Sequence, residues 1–404
     1  MQLTHIKELE SRYILGTYAR YDVLIERGNG AMLIDRSNKR YLDLLAGIGV
    51  NALGYNHPRI KQVLRKQIKR PLHISNLFYH EYQGRLAEKL CTLSGLDRAF
   101  FCNSGTEAIE ACMKFSRAWG GRAGNTGGKR KFRILALENS FHGRTFGALS
   151  ATSTAKYREP FEPLVPGFEF VSFNDAADLE RKLTDDVCAV LIETVQGEGG
   201  VRPISESFYR AARTLTSERG ALLIADEIQC GLGRTGEWFA FHQFIGKNEK
   251  DLLPDLVASA KPLGLGIPLG AVLLKEKVAT AINAGEHGTT FGGGPLACRA
   301  SLEYFRIIED DDLMNYVRKT GAHFKSRLDE LSILSVVKEV RGRGLMLAVD
   351  LNVPGKEIVK QLLEQGFIIN CTHDTVLRFL PPFVITTKQI DKFVKALKAI
   401  LEKL

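Results

Sequence analysis

The sequence predicts an α/β fold, with a largely parallel sheet covered by helices on both faces and a second, smaller α+β unit. The first observation is an alternation between residues 98 and 290. There the short apolar runs A-F-F-C, R-I-L-A-L, A-V-L-I-E, A-L-L-I-A-D, D-L-V-A-S-A and G-A-V-L-L exchange with stretches of helical periodicity. The second is a change after Pro295 to long amphipathic stretches, a strand pair in V-V-K-E-V-R-G-R-G-L-M-L-A-V-D-L and a final helix over 387–403. The third is the glycine-punctuated stretch L-A-G-I-G-V-N-A-L-G-Y-N-H-P, which leads into the helical pattern of 59–70 and marks a boundary near residue 50.

Composition narrows the class. A chain of 404 residues, 45% hydrophobic and 25% charged with 38 glycines, is an ordinary globular protein with many tight turns. The 55 Lys and Arg against 46 Asp and Glu give +9, but the charges are scattered among acids. The densest patches, K-Q-I-K-R (66–70) and G-K-R-K (128–131), lack aromatic neighbours for base stacking. They are expected to be solvated surface that attracts anionic metabolites, with no nucleic-acid partner. Seven cysteines without a C-x-x-C pair or zinc spacing suggest neither disulfides nor a metal site and fit a reducing compartment. The start M-Q-L-T-H-I-K-E-L-E has no apolar h-region, and no run has bilayer length, so a cytoplasmic location is expected.

Two glycine-rich stretches imitate nucleotide motifs. In G-G-R-A-G-N-T-G-G-K (120–129), Ala123 stands where a phosphate loop needs its first glycine, and Arg130 where it needs Ser or Thr, so a surface loop is expected. G-L-G-R-T-G (231–236) satisfies the G-x-G-x-x-G spacing and keeps open a nucleotide-dependent dehydrogenase. Its glycines, however, begin beyond D-E-I-Q rather than at the strand end, and two carboxylates would meet the pyrophosphate; a turn is expected.

Three other features point to one cofactor. In F-C-N-S-G-T-E-A-I-E-A-C-M-K-F (101–115) a strand ends at Cys102, a turn follows, and a helix begins near Gly105. Its free N–H groups and dipole could seat a phosphate, or it could be a plain capped helix. Asp226 ends the wholly apolar A-L-L-I-A-D at the carboxyl edge of the sheet, as a ligand partner or a turn residue. Lys261 ends the next run, where it could snorkel at the sheet rim or, desolvated, attack a carbonyl. Pyridoxal 5′-phosphate needs all three: an amine for its aldehyde, a carboxylate for its ring nitrogen and a phosphate seat.

The motifs G-Y-N-H-P, F-C-N-S-G-T-E-A, S-F-H-G-R-T, E-T-V-Q-G-E-G-G, L-L-I-A-D-E-I-Q-C-G-L-G-R-T-G, S-A-K, G-T-T-F-G-G-G-P-L-A and L-R-F-L-P-P run along nearly the whole chain. In them the sequence resembles the class III aminotransferases of the type I pyridoxal-phosphate fold, most closely those acting on N-acetylornithine. The resemblance implies a large cofactor-binding domain over 50–295 and a small discontinuous domain from 1–49 and 296–404. It implies catalysis by Lys261 and Asp226, with Lys261 as general base and acid. Gly105 and Thr106 would bind the phosphate, Phe141 stack on the ring, and Gln229 bond its phenolate oxygen, with Glu227 and Ile228 in the same cofactor-binding segment. Thr290 would reach the cofactor of a neighbouring subunit in a homodimer with shared active sites, and Thr289 would face the substrate. Arg144 matches a carboxylate clamp, Glu198 and Arg378 a paired switch, and Tyr18 a pocket wall.

The implied reaction moves the δ-amino group of N-acetylornithine to 2-oxoglutarate by ping-pong kinetics, as in arginine biosynthesis. Ornithine, succinylornithine, N-succinyl-diaminopimelate, 4-aminobutyrate and carrier-linked lysine are alternative donors. Three positions depart from the family pattern: P-L-G-L-G follows Lys261 in place of G-L-G-G-G, Gly294 replaces a frequent asparagine, and Thr106 a frequent alanine.

Overall fold

The computed structural model describes residues 3–122, 130–246 and 248–404. The expected surface loop at 120–129 falls mostly outside them, as does the first half of the basic patch at 128–131.

Three strands, β1 (Ile25–Asn29), β2 (Met32–Asp35) and β3 (Arg40–Asp43), form an antiparallel N-terminal meander. The central sheet draws on β4 (Arg98–Cys102), β5 (Arg133–Leu137), β6 (Phe168–Val171) and β7 (Val187–Glu193). A short hairpin, β8 (Val195–Gln196) with β9 (Arg202–Pro203), follows. Next come β10 (Leu222–Asp226), β11 (Leu256–Ser259) and β12 (Gly270–Leu274), which complete a seven-stranded sheet in the order β4-β12-β11-β10-β7-β5-β6. A C-terminal antiparallel sheet comprises β13 (Val337–Arg343), β14 (Met346–Leu351), β16 (Asn370–Thr372) and β17 (Val376–Phe379). Between them β15 (Phe367–Ile368) runs parallel to β3 and so joins the two ends of the chain in one sheet.

The central strands are apolar on both sides because both sides are covered. Side chains alternate across the pleat. Leu223 and Ala225 of β10 therefore join the core that holds Val190, Ile192 and Val257. Leu222 and Ile224 join the opposite core with Leu191, Leu256 and Ala258. The helix Gly105–Arg122 lies on that second face, burying Ala108, Ile109, Cys112 and Phe115. The final helix, Thr387–Leu401, starts with a capping box between Thr386 and Gln389.

One strand departs from the parallel expectation. β12 runs antiparallel to both β11 and β4, whereas the pairs β10–β11, β10–β7, β5–β7 and β5–β6 are parallel. Only residues 260–269 connect β11 to β12. That length is too short for the crossover a parallel neighbour requires, so the chain turns back. The 231–236 glycines form a turn, as expected, and no helix opens there.

Candidate active site

Parallel register brings the reactive ends together. Asp226 lies opposite Ala258 on one side and Glu193 on the other, so β7, β10 and β11 end on one edge of the sheet. Above that edge is a cavity of about 570 Å³. Asn103–Thr106, Phe141, Ile228, Gln229 and Lys261 line it, with Arg144, Glu198 and Asp226 around them.

The turn at 103–105 reaches this edge because β12 begins with a glycine. A Cβ on Gly270 would stand 2.5 Å from the Ser104 carbonyl oxygen. The amides of Gly105 and Thr106 open the helix, where no intrahelical acceptor exists, and they bond no other described residue. Thr106 Oγ1 lies 2.9 Å from Thr145 Oγ1. Gly143, at φ +139°, keeps its loop against this hydroxyl, since a Cβ there would come within 2.2 Å of it.

Lys261 adopts φ +42°, the left-handed region that a side chain disfavours, directly before Pro262. Such a conformation costs on the order of 1–3 kcal/mol and persists only where its surroundings enforce it. Here it turns the chain out of β11 and carries the amine to the cavity. Lys261 Nζ has no hydrogen-bond or ion-pair partner among the described residues. Burial pushes its pKa down, and the opposing pull of Asp226 and Glu198 does not restore it.

Asp226 is 5% exposed. Its Oδ2 accepts from His142 Nδ1 at 2.7 Å, and its Oδ1 accepts from the Ile228 amide at 3.1 Å. The imidazole fixed in this way has a buried Nε2 with no partner among the described residues. Next to it, Glu193 accepts from the amides of Phe141 (3.0 Å) and Gly197 (3.1 Å), and burial pushes its carboxyl up. Glu193 thereby ties the Phe141 loop to the end of β7.

Two arginines serve the cavity differently. Arg144 is exposed at its rim, 3.8 Å from the Tyr157 ring centroid and 5.6 Å from that of Phe141. It has no carboxylate partner among the described residues, so a planar, unpaired guanidinium faces the cavity. Arg378 is fully buried in β17. Its Nη1 donates to Glu198 Oε1 at 2.5 Å and Gln229 Oε1 at 3.2 Å, and its Nε donates to Asn370 Oδ1 at 3.2 Å. Burial alone would raise the Glu198 carboxyl, but Arg378 outweighs it and holds the group below the usual carboxylate range.

The expected residues Glu227, Thr289, Thr290 and Tyr18 do not line this cavity. The Glu227 carboxylate turns away from the cavity and accepts from Thr194 Oγ1 and the amides of Ala240 and Phe241, where burial pushes it up to about 7. Successive side chains leaving a strand point to opposite sides, and Asp226 has taken the cavity side. Thr290 is exposed outside the cavity, while Thr289 is tied to one of its lining residues, its Oγ1 accepting from Asn103 Nδ2 at 2.9 Å. Tyr18 is 77% exposed and lines a separate cavity beside the helix Leu3–Tyr13.

Sequence reasoning passed over His142, Glu193 and Asn370. Glu193 had a readable signal, since it ends A-V-L-I-E as Asp226 ends L-L-I-A-D. The other two have none outside their contacts. No group of His, Cys, Asp and Glu among the described residues could hold a metal.

The residues present fit pyridoxal phosphate: free helix-start amides and a threonine hydroxyl for the phosphate, an aromatic face, a buried carboxylate for a ring nitrogen, and an unpartnered amine. The description "Aminotransferase class-III" matches residues 16–401. The chain is 45% identical to the acetylornithine aminotransferase of Methanocaldococcus jannaschii over 98% of both chains. It superposes on the ornithine aminotransferase of Toxoplasma gondii with a TM-score of 0.94 at 31% identity, covering 100% of this chain and 97% of that one. With an acetylornithine aminotransferase from Elizabethkingia anophelis the TM-score is 0.87 at 29% identity over 100% of both. A protein matched over this extent is a transaminase that uses pyridoxal 5′-phosphate. The chain belongs to the class III aminotransferase family.

Proposed function

We propose that the enzyme transfers the δ-amino group of N-acetylornithine to 2-oxoglutarate, giving N-acetylglutamate 5-semialdehyde and glutamate. The observation that carries the reading is the pairing of an unpartnered Arg144 at the cavity rim with an Arg378 neutralised by Glu198. One carboxylate of the substrate is held at Arg144. The carbon that bears the donor's δ-amine carries no carboxylate and needs no second cation, so Glu198 stays on Arg378. A dicarboxylate displaces Glu198 and takes Arg378, so one pocket accepts both. Relatives that share 38–45% identity and the name acetylornithine aminotransferase support this donor.

In this reading Gly105 and Thr106 would hold the cofactor phosphate, Phe141 and Ile228 would flank the ring, Gln229 would meet its phenolate oxygen, and Lys261 would face the aldehyde. Bound pyridoxal phosphate supplies an electron sink for the carbon that loses its proton. Lys261 moves that proton, for which the desolvated amine is suited because more of it is neutral near pH 7. Asp226, held by His142 and the Ile228 amide, would set its carboxyl group against the ring nitrogen. Glu227 supports the turn from behind.

A donor panel against 2-oxoglutarate, read as glutamate formed, tests the substrate. N-acetylornithine is expected to give the highest kcat/KM, and indifference to it removes the donor. Glu198→Gln is expected to lower the KM for dicarboxylates and erode the preference for N-acetylornithine over α-amino donors by roughly tenfold, the worth of a charge-assisted bond. An unchanged preference rules out the switch.

The homodimer belongs to the same proposal. Leu77, Phe78, Tyr79 and Phe291 are exposed around Thr289 and Thr290, and Asn76 Nδ2 donates to the Thr289 carbonyl oxygen at 3.3 Å. Apolar surface of that density beside a cavity calls for a covering partner. A second copy would cover it and bring its Thr290 to the first copy's phosphate. Phe78→Asp is expected to shift sedimentation from dimer to monomer and weaken cofactor retention; a dimer that survives intact contradicts this surface. Seven free cysteines, five of them buried, fit the reducing cytoplasm. No helix among the described residues is long and apolar enough to cross a membrane.

A further inference from the structure

Arg378 poses a mechanical problem. A guanidinium with five N–H donors and no acceptor is buried completely, and Glu198, its single charged partner among the described residues, must leave in the proposed switch whenever a dicarboxylate enters. An unheld guanidinium would then be free to reorient, and the planar fork that matches a carboxylate would lose its aim. Two neutral acceptors remain. Gln229 shares Nη1 with Glu198, the corner that the substrate claims. Asn370 alone holds Nε, the corner opposite.

The placement of Asn370 is fixed by the sheet. It sits directly across from Arg378 in the antiparallel pair β16–β17, so the two side chains rise from the same face as cross-strand neighbours. Because arginine offers only donors, the Asn370 oxygen must face it. Asn370 is neutral, so it fixes orientation without cancelling charge, as Glu198 does.

We infer that Asn370 is the positioning residue for the acceptor half-reaction. It pins Arg378 by Nε while Nη1 exchanges Glu198 for a substrate carboxylate. The inference rests on the proposed role of Arg378 as anchor of the second carboxylate. Glutarate, a dicarboxylate without a reactive carbonyl, is the probe, titrated into the holoenzyme by calorimetry and by the change in cofactor absorbance. Failure of the wild-type protein to bind glutarate overturns the anchor itself, and with it this inference.

With the anchor intact, Asn370→Ala is expected to weaken glutarate binding and raise the KM for 2-oxoglutarate about tenfold, while the KM for the ω-amine donor moves less than twofold. Asn370→Asp keeps the shape but adds a permanent charge on Arg378. It is expected to weaken glutarate at least as much, again sparing the donor, and it carries the test should the alanine variant not fold. Glutarate affinity within twofold of wild type in either folded variant overturns the inference, as does an equal rise in both KM values.

Discussion

Lys261→Ala is expected to reduce turnover by roughly 10²–10⁴-fold, the range lost with a positioned proton carrier. The visible absorption band of the bound cofactor should vanish with it. In the wild-type protein, borohydride should bleach that band and leave a mass increase on the peptide that contains Lys261. A variant that keeps both the band and its turnover removes Lys261 from the chemistry.

Stability should respond in the opposite sense. A half-buried lysine whose folded pKa lies below 10.5 binds fewer protons folded than unfolded over the interval between the two values, so folding gains with rising pH there and the amine opposes folding at pH 7. Lys261→Met, which keeps the volume, is therefore expected to leave the cofactor-free protein at least as stable at pH 7, with the difference shrinking toward pH 10.5. Thermal melts of the two proteins across that range read the sign directly.

Asp226→Asn is expected to lower kcat by roughly 10²–10³-fold, the typical cost of losing one preorganised electrostatic partner. Its amide oxygen can still accept from His142 Nδ1, so the melting temperature should stay close to wild type. Asp226→Ala should show the same kinetic loss together with lower stability, because the imidazole nitrogen loses its acceptor in a dry site at a cost of about 1–3 kcal/mol. The pair separates chemistry from packing. Wild-type turnover in the asparagine variant contradicts a role for charge at this position.

These two residues were readable because each ends a largely apolar run, and a parallel sheet delivers such ends to one edge. The helix start at Gly105 was equally plain. Direction was not: G-A-V-L-L carries no mark of running antiparallel, and only the length of the 260–269 connection decides it. Glu227 shows the limit of neighbourhood reasoning, since adjacency to Asp226 in sequence put it on the other side of the backbone. His142 and Asn370 act through single hydrogen bonds to partners 84 and 8 residues away, and nothing in their own segments announces those partners. The strained backbone at Lys261 was invisible for the same reason: a Lys-Pro pair does not by itself favour positive φ.

The strand order also sets a timetable for biosynthesis. Among the described residues β4 has a single sheet neighbour, β12, although the chain makes β4 first of the seven and β12 last. A nascent polypeptide that has emerged from the ribosome only as far as Asp226 already contains the turn at 103–105 but not the β12 glycine on which that turn rests. Long-range closures of this kind are slow. The cavity lacks its last lining residues until Leu269 has been made and its edge strand until Leu274, so a complete site is a late report on folding.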